Sequence, residues 1–280
     1  MRKNAMTMVA FDHTTTDYGL DHALCLAHAA KLAYADEGTA REQAREWGFD
    51  RFRFFEADFS PPFALDHTQA YVMAGGDMII AAFRGTEPTQ IMDWLSDAKA
   101  PMVPHSSKKG MVHWGFDTAL EAIYPQMLVA LEELRTNDQT LWFTGHSLGG
   151  ALAMLAAARV SLVDPELTAD GVYTFGQPRT CDQKLASAYD GALRGRTHRF
   201  VNNNDIVPRV PPGPLYAHVA EERYIDADGH LREKAPGLFG GLVDRAKGYA
   251  DDITSLRPDA DGLTDHFVDA YITCLQSAGR

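Results

Sequence analysis

Cysteine is scarce in this chain, with Cys25, Cys181 and Cys274 the only three in 280 residues. An odd number at such wide spacing argues against a disulfide framework or a zinc site and suits reduced thiols in a core. Positive charge is also short. Lys and Arg number 26 against 38 Asp and Glu, for a net charge of -12. That balance disfavours nucleic acid as a partner and polybasic attachment to anionic lipid. No stretch approaches the roughly 18 unbroken apolar residues of a membrane span, so no transmembrane segment is expected. The apolar part of residues 1–11 is interrupted by Thr7 and is too short for a signal core. The expectation is therefore a cytoplasmic protein by default, or a secreted one if a leader has been removed. Internal repeats, low-complexity linkers and carboxylate/histidine clusters at metal-ligand spacing are absent too. Neither a metal nor an organic cofactor is expected.

Apolar residues are not lacking. At 45% of the chain they suffice for a sizeable core, and a single domain over 1–280 is expected. Leu20, Leu24, Ala27, Lys31 and Tyr34 lie at helical spacing within 18–36. Two apolar runs, 69–74 and 78–84, flank Gly75-Gly76-Asp77, a hairpin signal. A helical period follows over 116–135. Beyond it, strands at 140–144, 172–175, 197–202 and 222–226 alternate with helices at 148–162, 181–193 and 266–277. Alternation implies parallel pairing. The expected fold is α/β, a mostly parallel mixed sheet with helices on both faces.

The most specific local pattern is Gly145-His146-Ser147-Leu148-Gly149, set between the apolar run Thr140–Phe143 and the apolar run Ala151–Val163. G-x-S-x-G between a strand and a helix is the requirement of a nucleophile elbow, in which a sharp turn lifts one serine to the top of a sheet. The two glycines stand where a Cβ would collide as strand and helix close on each other. A serine hydroxyl needs a histidine base, and the histidine needs a carboxylate to hold its tautomer. In the chain order Ser…Asp…His, Asp205 is the strongest acid, at the end of the strand that includes Arg199–Asn202. Asp182 reads as a helix N-terminal residue and Asp226 as a turn residue. His266 is the leading base, at the mouth of the last helix. His218 competes with it. His198 precedes the acid, His230 sits beside a turn at Asp228-Gly229, and His146 is expected to point away from Ser147.

These residues occur within a longer set: Phe83-Arg84-Gly85-Thr86, Asp93-Trp94-Leu95-Ser96-Asp97, Val112–Phe116, Gly145–Gly150, Phe175–Arg179, Asn204–Pro208 and Asp265-His266. In that order, over about residues 20 to 275, they resemble the class 3 lipases, the fungal filamentous-type triacylglycerol lipases and their bacterial and plant relatives. The resemblance implies an α/β-hydrolase fold. It implies Ser147 as nucleophile, Asp205 as acid and His266 as base. It also implies an oxyanion hole made by the hydroxyl and backbone N–H of Thr86 with the backbone N–H of Leu148, and Asp97 as the aspartate that supports it. The implied reaction is hydrolysis of acylglycerol esters through an acyl-enzyme. Phospholipids, galactolipids and aromatic feruloyl-type esters are alternative substrates, and a non-catalytic lipase-like binding or signalling protein is a further alternative.

Two segments are candidates for covering the site. In the fungal relatives the stretch after the oxyanion residue is a helical lid, here 87–96 with Ile91, Met92, Trp94 and Leu95. Residues 236–255 place Leu238, Phe239, Leu242, Val243, Ala246, Tyr249 and Ile253 at helical spacing with charges opposite. This reads as an inserted amphipathic helix that either covers the core or shapes an acyl cleft. Transient contact with a lipid interface follows from the resemblance.

Overall fold

A computed structural model of the chain describes residues 11–58, 67–86, 101–163, 167–232 and 264–279. Its centre is an eight-stranded sheet. In chain order the strands are β1 (Arg51–Asp58), β2 (His67–Gly75), β3 (Met78–Phe83), β6 (Thr140–His146), β7 (Gly171–Phe175), β8 (Thr197–Asn202), β9 (Glu221–Ile225) and β10 (Leu231–Arg232), and they lie side by side in that same order. β1, β2 and β3 pair antiparallel, β3 to β9 pair parallel, and β10 returns antiparallel. A separate two-stranded ribbon joins β4 (Met102–Pro104) to β5 (Met111–His113). The expected α/β architecture is what is observed.

Successive strand side chains alternate between two faces, and the core divides accordingly. On one face Ala81, Phe83, Leu141, Phe143 and Val172 pack against α3 (Trp114–Glu121), α4 (Tyr124–Leu134), α5 (Leu148–Val163) and α6 (Gln183–Leu193). On the other, Ile80, Ala82, Trp142 and Tyr173 pack against α1 (Leu20–Leu32), α2 (Glu37–Glu46) and α7 (Val268–Ala278). Phe83 and Phe143 are fully buried, and each such side chain contributes about 1.5–3 kcal/mol by its burial. α5 runs beneath the sheet with every residue from Leu148 to Val160 buried; apart from Arg159, which pairs with Asp117 and Glu121, those residues are apolar or glycine, so the helix is not amphipathic.

The hairpin at residue 76 forms as expected, with Gly76 at φ +51 in its turn. Some elements differ from expectation. Neither α2 nor β1 was expected. α2 buries only Ala40 and Ala44 and is otherwise polar, so its apolar period is faint. What starts it is Asp36, whose carboxylate accepts from Thr39 N at 2.9 Å. The single helix expected over 116–135 is two. The break falls at Ala122-Ile123, just before Pro125, which tolerates only the first turn of a helix.

The parallel strands β6 and β7 lead from their carboxyl ends into α5 and α6. Thr86, Ser147, Gly176 and Asp205 all lie within three residues of the carboxyl ends of β3, β6, β7 and β8. In open α/β sheets that edge is where ligands bind.

Candidate active site

The elbow is built by glycines. Ser147 sits between β6 and α5 at φ +58, a backbone region in which non-glycine residues are uncommon. Its N–H donates to the Phe175 carbonyl of β7 at 2.8 Å, which holds the turn in place. A Cβ on Gly145 would lie 2.1 Å from the Gly149 carbonyl oxygen, and one on Gly149 would lie 2.1 Å from the carbonyl oxygen of Phe83 in β3. The elbow therefore closes onto two strands and a helix at distances only glycine permits. Ser147 is buried, and its Oγ has no hydrogen-bond partner among the described residues.

Past the end of β8, Asp205 is fully buried and faces His266, also fully buried. His266 Nδ1 lies 3.0 and 2.9 Å from the two Asp205 oxygens. A carboxylate accepts only, so Nδ1 carries the proton and Nε2 presents its lone pair. Asp205 Oδ1 also accepts from Val207 N at 2.9 Å, and Oδ2 from the Tyr271 hydroxyl at 2.5 Å. The loop bearing His266 is stitched to the end of β8. Asp265 accepts through its carboxylate from Asn203 Nδ2 and Asn204 N, and through its carbonyl from Asn202 Nδ2. Gly176, at φ +61, lies under the pair. A Cβ there would come within 2.8 Å of Asp205 Oδ2 and 2.9 Å of His266 Nδ1.

Thr86 follows the Phe83-Arg84-Gly85 run that leaves β3. A Cβ on Gly85 would be 3.1 Å from Ser147 Cβ, so this turn passes directly beside the serine. Thr86 is buried, and its Oγ1 is unpartnered among the described residues. Leu148 opens α5, where backbone N–H groups have no intrahelical acceptor and the helix dipole favours negative charge. Ser147 Oγ, His266 Nε2 and Thr86 Oγ1 are thus three buried polar atoms left unpaired on one edge of the sheet. Orphan groups of this kind call for a functional explanation. A hydroxyl, an imidazole lone pair and a hydroxyl donor are the components of acyl transfer.

The competing residues are placed elsewhere. His218 Nε2 donates to the Pro208 carbonyl, and burial, with Arg199 and Arg179 nearby, keeps its pKa well below the ordinary value. His198 is buried against Tyr173 on β8. His230 is exposed on the β9–β10 hairpin beside Asp226. Asp182 caps α6 by accepting from Leu185 N at 2.7 Å. Asp226 holds its own turn and accepts from Arg232. Among the described residues, Asp226, Asp228 and His230 are the cluster whose ligand atoms fall within 4.8 Å of one another, and Asp226 is already engaged by Arg232. Asp97, the segment 87–96 and the segment 236–255 lie outside the described residues.

His146, expected to point away from Ser147, brings its ring against His266, 4.6 Å between centroids, with Nε2 2.6 Å from the His266 carbonyl oxygen. Burial and the neighbouring imidazole push its pKa well below 6.5. Tyr271 and Gly176 were absent from the sequence reading of the site. Gly176 was visible as part of Phe175-Gly176-Gln177-Pro178, whereas nothing local marks Tyr271 except its place in an apolar helical period.

Known proteins similar to this chain include lipases. The family model described as lipase (class 3) matches residues 80–214. Over 169 residues the chain is 30% identical to a secreted mono- and diacylglycerol lipase of Malassezia restricta, covering 56% of this chain and 53% of that protein. Over 163 residues it is 32% identical to a lipase of Rhizomucor miehei, covering 55% of this chain and 44% of that protein. Among solved structures it is similar to lipase II from Rhizopus niveus, with a TM-score of 0.58 and 25% identity, covering 72% of this chain and 78% of that one. The chain spans about half the length of the curated relatives it matches.

Proposed function

We propose that this chain, which belongs to the class 3 lipase family, hydrolyses carboxylic esters of acyl lipids by a Ser147–His266–Asp205 triad. The observation that carries the reading is the buried His266, with Nδ1 locked to Asp205 and Nε2 unpaired, on the same sheet edge as the elbow serine.

The reaction assigns each of these residues a step. His266 Nε2 accepts the Ser147 proton as Oγ attacks the ester carbonyl. Asp205 fixes the tautomer that makes this possible and stabilises the imidazolium that forms. The tetrahedral oxyanion is met by Thr86 and by the N–H of Leu148 at the positive end of α5. His266 then returns the proton to the leaving alcohol, and water, activated by the same imidazole, releases the acid.

The names of the Malassezia and Rhizomucor relatives favour an acylglycerol as the substrate and a fatty acid as one product. The relative named as secreted favours the secreted alternative over the cytoplasmic default. Among the described residues no helix is long and apolar enough to cross a membrane, which fits an enzyme that meets lipid from the aqueous side.

The test is turnover of p-nitrophenyl butyrate and tributyrin by the full chain, with labelling by a fluorophosphonate probe. Ser147→Ala is expected to abolish labelling and lower kcat by roughly 10⁴–10⁶. Near-wild-type turnover by that variant would refute the assignment. A folded wild-type protein that takes no label would favour a non-catalytic, lipase-like binding protein.

A further inference from the structure

We propose that Tyr34 and His146 form a positioning relay that ties the turn at Gly85-Thr86 to the backbone of His266, so that oxyanion donor and base keep a common register with Ser147. The inference rests on the ester-hydrolase reading above and assigns roles to two residues outside the triad.

The hydrogen-bond directions are determined by the partners. The His266 carbonyl oxygen, 2.6 Å from His146 Nε2, can only accept, so Nε2 carries the proton. In the neutral ring Nδ1 is then the acceptor. The Tyr34 hydroxyl, 2.8 Å away, must therefore donate to Nδ1. His146 is 4% exposed and its pKa lies well below 6.5, so the neutral ring with this one tautomer is the state present at neutral pH.

The other end of the relay is steric. A Cβ on Gly85 would lie 2.3 Å from the Tyr34 hydroxyl, 2.5 Å from the His146 carbonyl oxygen and 3.1 Å from Ser147 Cβ. The Tyr34 hydroxyl thus occupies the space against Gly85, one residue before Thr86. The Arg84 guanidinium lies 5.9 Å from the centre of the Tyr34 ring, on the same turn. Tyr34 follows the end of α1, which packs on β6 and α7, and so brings a group from a separate part of the fold to the elbow.

The His146 ring completes the link. It lies tilted against the imidazole of His266, 4.6 Å between centroids, and is bonded to that residue's own carbonyl. Asp205 constrains the same histidine from its other side, through Nδ1. His266 is therefore held by its side chain from β8 and by its backbone from β6. Loss of the second restraint leaves the base bonded to its acid but free to drift relative to Ser147. A displacement near 1 Å at a reacting group can lower the rate about 10²-fold.

The test uses the full chain with monomeric p-nitrophenyl butyrate. Tyr34→Phe keeps the ring and removes the donor. It is expected to lower kcat about tenfold with KM within about twofold, and to shift Tm by no more than about 2–4 °C. Thr86→Val combined with Tyr34→Phe is expected to cost less than the product of the single effects, since both act on one turn. His146→Gln, which can still donate to the carbonyl and accept from Tyr34, is expected to retain more kcat than His146→Leu. If His146→Leu does not fold, Tyr34→Phe and the double variant decide. Wild-type kcat in Tyr34→Phe, or a fully multiplicative double variant, would overturn the relay while leaving the hydrolase reading intact. A wild-type protein that neither turns over ester nor takes a fluorophosphonate label removes the premise and the relay with it.

Discussion

The Tyr271 hydroxyl donates to Asp205 Oδ2 at 2.5 Å and accepts from Asn202 N at 3.0 Å. It joins α7 to the end of β8 at the carboxylate that holds the base. Burial, with Asp205 beside it, raises the Tyr271 pKa well above 10, so the phenol remains a donor. A buried carboxylate without its full set of donors is costly, and a hydrogen bond to a charged group contributes about 1.5–3 kcal/mol. Tyr271→Phe is expected to lower stability by about that amount and to reduce kcat. Urea denaturation and turnover of one soluble ester, measured on the same preparation, check both.

Thr86→Val preserves shape and removes one hydroxyl donor. Thr86 Oγ1 is buried and without a partner among the described residues, so no bond to any of them is lost. The variant is expected to fold with unchanged or higher stability while kcat falls about 10²–10³-fold. Thr86→Ser, which keeps the donor, is expected to retain most activity. Equal kcat in wild type and Thr86→Val would remove this side chain from the oxyanion hole.

Gly176 tolerates no side chain. An alanine Cβ would lie 2.8 Å from Asp205 Oδ2 and 2.9 Å from His266 Nδ1, at φ +61. Conformational strain alone costs about 1–3 kcal/mol at such a position. Gly176→Ala is expected to push acid and base apart and to lower kcat at least about 10²-fold. Gly195→Ala, at φ +75 with open space around it, is the control. It carries comparable backbone strain before the amino end of β8, the end opposite Asp205, and its kcat should stay near wild type.

Stability is expected to fall on acidification before carboxylates matter. Burial holds the pKa of His198 and His105 at about 4, that of His28 below 6.5, and those of His146 and His218 well below it. In the unfolded chain these imidazoles take up protons near 6.5, while in the folded chain they do not. The unfolded state therefore binds more protons as pH drops. Their contribution to stability is intact above about pH 6.5 and is lost progressively toward pH 4. Each fully depressed histidine adds a slope of up to about 1.4 kcal/mol per pH unit in that window. Denaturation midpoints at pH 7.5, 6 and 5 measure the slope. His198→Phe, which suits the surrounding Tyr18 and Tyr173 rings, should flatten it.

Much of this molecule is decided locally. The glycines at 145 and 149, set between two apolar runs, specify the elbow because a Cβ at either would lie 2.1 Å from a facing carbonyl oxygen. Alternation and helical period specify the strands and most helices, and the two-residue turn at Gly76-Asp77 specifies the hairpin. Chain order points to Asp205 as the acid and leaves His266 and His218 as candidates for the base. Elements with faint apolar signals, α2 above all, are not.

What tertiary structure decided is partnership. His266 and His218 are both histidines downstream of the acid, and nothing in their sequence surroundings separates them. The fold does, by bringing His266 to Asp205 across 61 residues and giving His218 to the Pro208 carbonyl. Tyr271 and Tyr34 look like ordinary helix-associated aromatics until α7 and α1 dock on the sheet and aim one hydroxyl at Asp205 and the other at His146. Periodicity depends on neighbours three or four residues apart. The restraints on a reacting group come from distant segments that meet only in the packed chain.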